Sequence, residues 1–569
     1  MSPNEIVTAV SLFLAVIVIT PFLGRYMYRV FDGQRTVLSP VLRPVERAVY
    51  TVARIDESAE QGWKGYAVGV IAFSFVSILV LYILQRVQGS LPLNQAGLGP
   101  VEEFLSFNTA VSFASNTNWQ NYSGETTMTH LTQAAGLTVQ NFVSAGVGMA
   151  VAIALTRGLV RRTSATIGNF WVDMTRAVVY VLLPIAFVAA LLLVWQGVTQ
   201  TWDGPQTITT LEGAQQTIAL GPIASQESIK ELGNNGGGFL NANSAHPFES
   251  PTGLTNWIEM LLILVIPFGL TFTFGRYAEN QRQGWTIFAA MFLILVVGAG
   301  VAMGMEANGN ALLAGADQTA LGNMEGKETR FGAPAGGLFA AVTTGTSTGA
   351  INAAHSSLTP IAGMVPLFNI LLGEITPGGA GAGLYGMLVF AILSVFIAGL
   401  MVGRTPEYLG KKIEPFEMKM AMVVVLILAT SVLGYTALGT ALEPGEAGGP
   451  GNAGPHGFSE VLYAFASQTG NNGSAFGSLT GNVPFYNIAG GFAMLIGRWG
   501  MIIPILAIAG SMAAKRRVAP SLGTFPTTGP LFVGLLIGVV IIVGALTYFP
   551  ALALGPIVEQ LLLDAGKTF

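Results

Sequence analysis

The chain contains no cysteine, and charged residues make up only 10% of its 569 residues. Without cysteine there is no disulfide bond, thiolate metal site or cysteine nucleophile. Soluble proteins carry about 25% charged residues, so the low charge argues against a large soluble domain. A net charge of −4 without a dense basic run gives no sign of nucleic-acid binding. Hydrophobic residues make up 51% of the whole chain, which is typical of a multi-pass membrane protein.

Ten apolar runs are long enough to cross ~30 Å of hydrocarbon, and they predict an all-α polytopic membrane protein. The predicted spans are 7–22, 66–84, 131–155, 177–198, 257–274, 285–305, 384–402, 420–442, 486–509 and 531–554.

Lysine and arginine concentrate in every second connection between these spans. The basic connections lie at 25–64, 157–176, 276–282, 404–419 and 515–517. Because short cytoplasmic loops carry the excess of basic residues, both termini are predicted to lie outside. Glu5 and no basic residue precede the first apolar run, which predicts a retained anchor and not a cleaved signal peptide.

Four short uncharged stretches interrupt the apolar chain on the predicted outer side. They are 116–122 (NTNWQNY), 234–239 (NNGGGF), 344–352 (TGTSTGAIN) and 471–476 (NNGSAF). Each follows a segment of half-helix length, and they recur at intervals of about 113 to 124 residues, the signature of a repeat architecture. Uncharged irregular backbone at membrane depth is tolerated only where it is buried or lines a cavity. We therefore expect one pore with fourfold pseudo-symmetry.

The repeating unit is a span, a pore loop and a second span. It is predicted at 60–165, 170–280, 284–410 and 415–515, with an extra N-terminal span and cytoplasmic loop at 1–59 and an extra C-terminal span at 520–569. In the third unit, the glycine-rich run 377–383 (PGGAGAG) cannot hold a stable helix. It predicts a helix broken inside the membrane, with an external linker as the alternative.

The four stretches have the composition of a cation filter. Rings of backbone carbonyls coordinate a dehydrated cation, and the absence of carboxylates from the stretches favours a large monovalent ion over a divalent one. The first stretch has Gln120 where the spacing puts glycine in the others. The predicted filter residues are Asn116, Thr117, Asn118, Gln120, Asn234, Asn235, Gly236, Gly237, Ser347, Thr348, Gly349, Asn471, Asn472 and Gly473.

Three charged residues, Arg498, Glu374 and Arg404, are predicted to lie on the ion path. Arg498 falls within the ninth span, where a charge costs at least ~2.5–3.5 kcal/mol, so it should face the protein interior and impede direct flow. Snorkelling to the inner interface is the alternative. Glu374 precedes the glycine-rich run and is the acidic counterpart of Arg498, with a solvated loop carboxylate as the alternative. The four histidines form no close pair of the metal-ligand type, and we expect structural roles for them.

The segments TNWQNYSGE, NNGGGFLNANSAHPFE and NNGSAF resemble the potassium-binding, channel-like subunit of the bacterial Kdp potassium-transporting ATPase, in the superfamily of potassium transporters. The resemblance runs over essentially the whole chain. It implies four channel-derived repeats plus two extra spans, with potassium bound at Gln120, Gly236, Gly349 and Gly473. Thr348 stands where some relatives carry cysteine. Arg498 matches the family's positive charge below the filter, and Glu374 lies in the region of its gating loop.

The resemblance also implies partners. A P-type ATPase subunit hydrolyses ATP, and a single-span subunit and a small single-span peptide complete a complex in the bacterial inner membrane. This chain is then a non-catalytic subunit whose cargo is potassium, with no organic cofactor, and ions leave its filter sideways toward the ATPase subunit. A stand-alone or ion-coupled potassium channel is the alternative. An intramembrane enzyme would need paired carboxylates, a histidine cluster or a serine–histidine arrangement within spans, and the sequence shows none.

Overall fold

The computed structural model describes residues 1–313, 321–441, 448–519 and 524–567, and it is mostly helical. Within these ranges, ten helical segments are long and apolar enough to cross a membrane, which confirms the predicted number. They are Pro3–Phe31, Trp63–Ser90, Thr132–Val160, Phe170–Trp195, Gly253–Tyr277, Gln281–Ala307, Ala382–Met401, Pro415–Ala441, Pro484–Ala514 and Pro530–Asp564. Most of them extend beyond the predicted ends. Residue 442, the predicted end of the eighth span, and the segment limits 520 and 569 lie outside the described residues.

The helices are numbered along the chain. The first nine are α1 (Pro3–Phe31), α2 (Ser39–Ala53), α3 (Trp63–Val87), α4 (Glu103–Ala114), α5 (Gly124–Thr127), α6 (Val139–Val160), α7 (Phe170–Arg176), α8 (Leu183–Trp195) and α9 (Ile223–Leu232). The others are α10 (Gly253–Tyr277), α11 (Gln281–Ala307), α12 (Ala333–Gly345), α13 (Pro360–Leu371), α14 (Ala382–Met401), α15 (Pro415–Ala441), α16 (Gly454–Gly470), α17 (Pro484–Ala514), α18 (Pro530–Leu552) and α19 (Val558–Asp564). Wider π-helical turns connect α7 to α8 and α18 to α19, and another precedes α6.

Local sequence signals set several helix starts. Ser2 and Glu5 form a capping box at α1, so the side chain of each satisfies a backbone N–H of the other. Thr252 and Thr255 do the same at α10. Proline stands in the first turn of α12, α13, α16, α17 and α18, where its missing N–H would have no helical partner.

Two small antiparallel hairpins are the strands of the described chain. One pairs β1 (Gln206–Thr209) with β2 (Gln215–Ile218) in the connection between α8 and α9. The other pairs β3 (Glu407–Tyr408) with β4 (Lys411–Lys412) after α14. Neither adds a layer, so the all-α fold class is confirmed.

The helices are arranged around a buried centre. In α6 and α10, 89% of the most apolar window is buried inside the protein, against 22% in α1. The terminal helix α1 packs mainly on α10, and α18 packs on α11 and α14. The two spans outside the repeats therefore form part of the periphery and leave the centre to the repeats.

The third repeat contains the predicted helix break. Helix α13 ends at Leu371, a buried loop follows, and α14 begins at Ala382. Gly381 has φ +92°, and a Cβ there would lie 2.1 Å from the carbonyl oxygen of Gly148 on α6. The loop packs inside the protein, so the external-linker alternative is wrong.

Candidate functional site

Four short buried helices, α4, α9, α12 and α16, deliver the polar stretches to one place. We call the segments that meet there wall 1 (residues 116–118), wall 2 (234–237), wall 3 (347–349) and wall 4 (471–473). Each wall starts with a residue at positive φ, at Asn116 (70°), Asn234 (51°), Ser347 (57°) and Asn471 (61°). This left-handed residue ends the helix and turns the chain, a conformation that asparagine tolerates better than most residues.

Side-chain hydrogen bonds connect the walls into a closed ring. Three bonds run from Asn116 Nδ2 to the Asn234 carbonyl (2.8 Å), from Asn234 Nδ2 to Thr348 Oγ1 (3.1 Å) and from Asn471 Nδ2 to Thr117 Oγ1 (3.0 Å). Walls 3 and 4 meet where Ser347 Oγ lies 3.2 Å from the Asn471 carbonyl, a contact that shares its single hydrogen with Glu374. Asn235 Nδ2 donates in the opposite direction, to Asn116 Oδ1 at 2.7 Å.

The glycines of the walls allow close backbone approach in the same order. A Cβ on Gly236 would lie 2.3 Å from the backbone of Gly349, and one on Gly349 would lie 2.7 Å from the Asn472 carbonyl oxygen. A Cβ on Gly473 would lie 2.0 Å from the Thr117 carbonyl oxygen. Real side chains do not fit at such distances, so these three positions require glycine.

In wall 1, the position equivalent to these glycines is Asn118, two residues after the left-handed Asn116. Asn118 is itself at φ 58°, and its Nδ2 donates to Asn141 Oδ1 at 2.5 Å. The alignment of Gln120 with the glycines is therefore wrong by two residues, because loop spacing alone does not fix the register. Gln120 instead binds the residue that follows wall 2, with Nε2 donating to the Gly238 carbonyl at 3.0 Å and Oε1 accepting from the Gly238 N–H at 3.1 Å.

A cavity of about 30 Å³ adjoins the first residues of walls 1, 3 and 4, and both Arg498 and Glu374 line it. Arg498 is only 7% exposed, and its Nη2 donates to the Ser144 carbonyl at 2.8 Å, so the snorkelling alternative is wrong. Among the described residues, no carboxylate forms an ion pair with Arg498. The volume is about that of one water molecule.

Glu374 is 2% exposed, which contradicts the solvated-carboxylate alternative. Its Oε2 accepts from Ser347 Oγ at 2.5 Å, and its Oε1 accepts from Asn472 Nδ2 at 2.6 Å. It therefore connects wall 3 to wall 4 at the edge of the cavity.

Arg404 lies apart from this cavity, on the exposed connection after α14. The structure does not bring it together with Arg498 and Glu374, because α14 separates the glycine-rich loop from the basic connection.

The histidines make structural hydrogen bonds. His130 Nε2 lies 2.8 Å from the Leu220 carbonyl, and His355 Nδ1 lies 3.0 Å from the Tyr463 hydroxyl. Burial lowers the pKa of His355 to about 3, so this ring is neutral at physiological pH.

The sequence interpretation missed the support behind wall 2. Lys230 of α9 is fully buried, and its Nζ donates to the Gly237 carbonyl at 3.0 Å, which the Asn243 amide also contacts. Gly237 thus directs its carbonyl oxygen at these donors. The available signal was a lysine flanked by Glu227 and Glu231 in a helix that must be buried beside the filter.

Comparison with known proteins agrees with this arrangement. Residues 10–561 match the family model described as potassium-transporting ATPase A subunit, KdpA. The chain is 57% identical over 561 residues to the potassium-transporting ATPase potassium-binding subunit of Bradyrhizobium diazoefficiens, covering 98% of this chain and 99% of that protein. It is 58% identical over 553 residues to the protein of the same name from Mesorhizobium japonicum, covering 97% of each.

A solved structure shares the fold. The potassium transporter TrkH from Vibrio parahaemolyticus superposes with a TM-score of 0.51 at 16% identity, covering 78% of this chain and 84% of that one. The match to the family model over nearly the whole chain, with relatives at this level of identity, assigns the family: the chain belongs to the KdpA family, the A subunits of potassium-transporting ATPases.

Proposed function

We propose that this chain selects potassium ions in the ring of four walls and passes them across the membrane as the ion-translocating subunit of an ATP-driven uptake complex. The observation that carries this proposal is the uncharged ring, in which hydrogen-bonding side chains connect each wall to the next. Such bonding holds backbone oxygens at fixed separations, as a dehydrated monovalent cation requires. The names of the relatives as potassium-binding subunits support the choice of ion.

The chain would be the non-catalytic part of the complex. The relatives are named as subunits of an ATPase, which supports assembly with other subunits. The proposed partners are a P-type ATPase subunit that hydrolyses ATP, a single-span subunit and a small single-span peptide, in the bacterial inner membrane. Potassium is cargo in this scheme, and no organic cofactor is required.

Arg498 makes the ring a site that takes up potassium ions for a pump and does not let them flow straight through. Its buried guanidinium shares the cavity beside walls 1, 3 and 4 with Glu374. A fixed positive charge raises the energy of a cation that moves straight through, while Glu374 offers negative charge to an ion that turns aside. This pairing favours a pump subunit over an open channel.

The filter assignment is tested by Gly236→Ala. We expect potassium affinity to fall at least ~tenfold, equivalent to about 1.4 kcal/mol, because the added Cβ displaces the backbone of wall 3. The measurement is calorimetric titration of the purified protein with potassium. Gly477→Ala is the matched control, since nothing lies within 4 Å of a Cβ at that position just after wall 4.

Unchanged potassium affinity in a folded Gly236→Ala protein would contradict the filter assignment. Purification in mild detergent tests the complex separately. A chain that purifies alone and conducts potassium unaided would favour a stand-alone channel.

A further inference from the structure

Four buried carboxylates surround one lysine behind wall 2. Glu227, Lys230 and Glu231 lie on α9, Glu249 lies in the loop that follows, and Glu259 lies on α10, each at most 1% exposed. Lys230 Nζ lies 2.8 Å from Glu227 Oε2, 2.8 Å from Glu249 Oε2 and 3.7 Å from Glu231 Oε1. One ammonium group thus faces three carboxylates in a closed interior, and the fourth, Glu259, lies beside Glu227 and Glu231.

Hydrogen-bond donors are distributed unevenly over these carboxylates. Glu249 is satisfied, since its Oε1 also accepts from the Leu240 N–H at 2.7 Å. Among the described residues, Glu231 Oε2 and both oxygens of Glu259 have no hydrogen-bond partner. The nearby Ser250 hydroxyl lies 3.1 Å from Thr255 Oγ1. Buried oxygens without a partner are rare and point to an unassigned ligand.

The charges of the cluster do not balance. A buried ion without compensation costs several kcal/mol, so four carboxylates beside one ammonium require further positive charge. The cluster therefore holds either protons or a cation at physiological pH.

The spacing of the oxygens favours a cation. One oxygen each from Glu227, Glu231 and Glu259 lies within 4.8 Å of the other two. Calcium binds oxygen at ~2.3–2.6 Å, so one ion between the three groups can reach all of them. A proton serves at most two carboxylates at once, whereas a divalent ion compensates two charges and gives Glu259 a partner.

We propose that Glu227, Glu231 and Glu259 form a binding site for a hard divalent cation of the calcium type, separate from the potassium ring. Its effect on the ring is indirect. Lys230 holds the Gly237 carbonyl of wall 2, and the bound ion keeps the surrounding carboxylates from pulling this lysine away. The site would be a structural support of wall 2, and ion binding there does not depend on potassium transport.

The test is calcium binding to the purified full-length chain at constant potassium concentration. Calcium and magnesium are titrated separately while the melting temperature is recorded, because a ligand that binds only the folded state stabilises it. Metal content after dialysis is measured by mass spectrometry. We expect a divalent-ion-dependent rise in the wild type that is lost, or shifted at least ~tenfold to higher concentration, in the isosteric Glu259→Gln.

Glu306→Gln is the matched control, because Glu306 is also fully buried but pairs with Lys327 at 2.7 Å, outside the cluster. It should lower the melting temperature and keep the response to divalent ions. If Glu259→Gln does not fold, Glu231→Gln is measured in its place. No response in the wild type, or an equal response in the cluster variant, overturns the proposal and leaves protons as the compensating charge. A potassium titration of the same wild-type sample tests the potassium ring independently.

Discussion

The side chains of the walls act chiefly on the backbone of neighbouring walls. Asn116, Asn234 and Asn471 each take a left-handed conformation and donate an amide hydrogen to the adjacent wall. Asparagine suits both tasks, since it tolerates positive φ and carries two donors. In wall 3, the Ser347 hydroxyl takes the corresponding place and shares its single hydrogen between the Asn471 carbonyl and Glu374. Wall 3 is therefore the wall most directly coupled to the cavity.

Removing the positive charge of Arg498 should let potassium ions pass straight through the protein, as in a channel. The buried Arg498 guanidinium donates to the Ser144 carbonyl, and Arg498→Gln removes its charge while keeping an amide donor on a shorter side chain. We expect potassium flux into liposomes without ATP to rise at least ~tenfold, which corresponds to a barrier about 1.4 kcal/mol lower. Arg498→Lys is the control and should stay tight. Unchanged flux in an assembled Arg498→Gln complex would assign Arg498 a structural role.

At the scale of single elements, the short helix α2 on the basic side of the protein is attached to the fourth span through one carboxylate. Its Glu46 is 6% exposed and accepts from Arg176 Nε at 2.9 Å and from the Tyr180 hydroxyl at 2.8 Å. Tyr50, one turn later on α2, donates to the same carboxylate at 2.8 Å. One carboxylate thus joins α2 to the fourth span.

This attachment should weaken in acid. Burial alone would raise the pKa of Glu46, but Arg176 and the hydroxyls of Tyr180 and Tyr50 outweigh it and lower the pKa. The contribution of Glu46 to stability is then complete above the unfolded pKa of ~4.3 and is lost as the pH falls through the lowered value. We expect Glu46→Gln to lower the free energy of unfolding by about 1–3 kcal/mol at pH 7 and by less in acid.

The measurement is the difference in melting temperature between wild type and Glu46→Gln as a function of pH. Glu57→Gln is the control, because Glu57 is exposed in the next connection. A difference that stays constant below pH ~4 would show that the hydrogen bonds of Glu46 do not depend on its ionisation.

The spans could be predicted from sequence because hydropathy and the distribution of basic residues report directly on the membrane. Residues whose environment is set by tertiary packing could not. Arg157 was counted with the basic connections, yet it is buried and bound to Asp173 at 2.6 Å. Glu227 and Glu231 resemble the polar face of an ordinary helix until α10 and the following loop cover them. The loop spacing in the sequence aligned Gln120 with the glycines of the other walls. This alignment is two residues off, because only the backbone conformation identifies the first residue of each wall.

On the scale of the whole molecule, the ten spans differ in burial. In the spans that contain α6 and α10, 89% of the most apolar window is buried, against 22% for α1 and 33% for the spans that contain α3, α15 and α18. In a membrane the apolar surface that remains exposed contacts lipid or partner subunits. The four walls lie in the buried interior of the protein.

Orientation in the membrane is the last prediction, and the absence of cysteine makes it simple to test. Thr207 lies on the exposed hairpin between α8 and α9, and Ser58 lies on the exposed basic connection before α3. With basic connections inside, an impermeant maleimide should label Thr207→Cys in right-side-out vesicles and label Ser58→Cys only after permeabilisation. Ser2→Cys should behave like Thr207→Cys, since the N-terminus is predicted outside. The reverse pattern would invert the orientation, and labelling of Thr207→Cys and Ser58→Cys from the same side would contradict the assignment of the second, third and fourth spans.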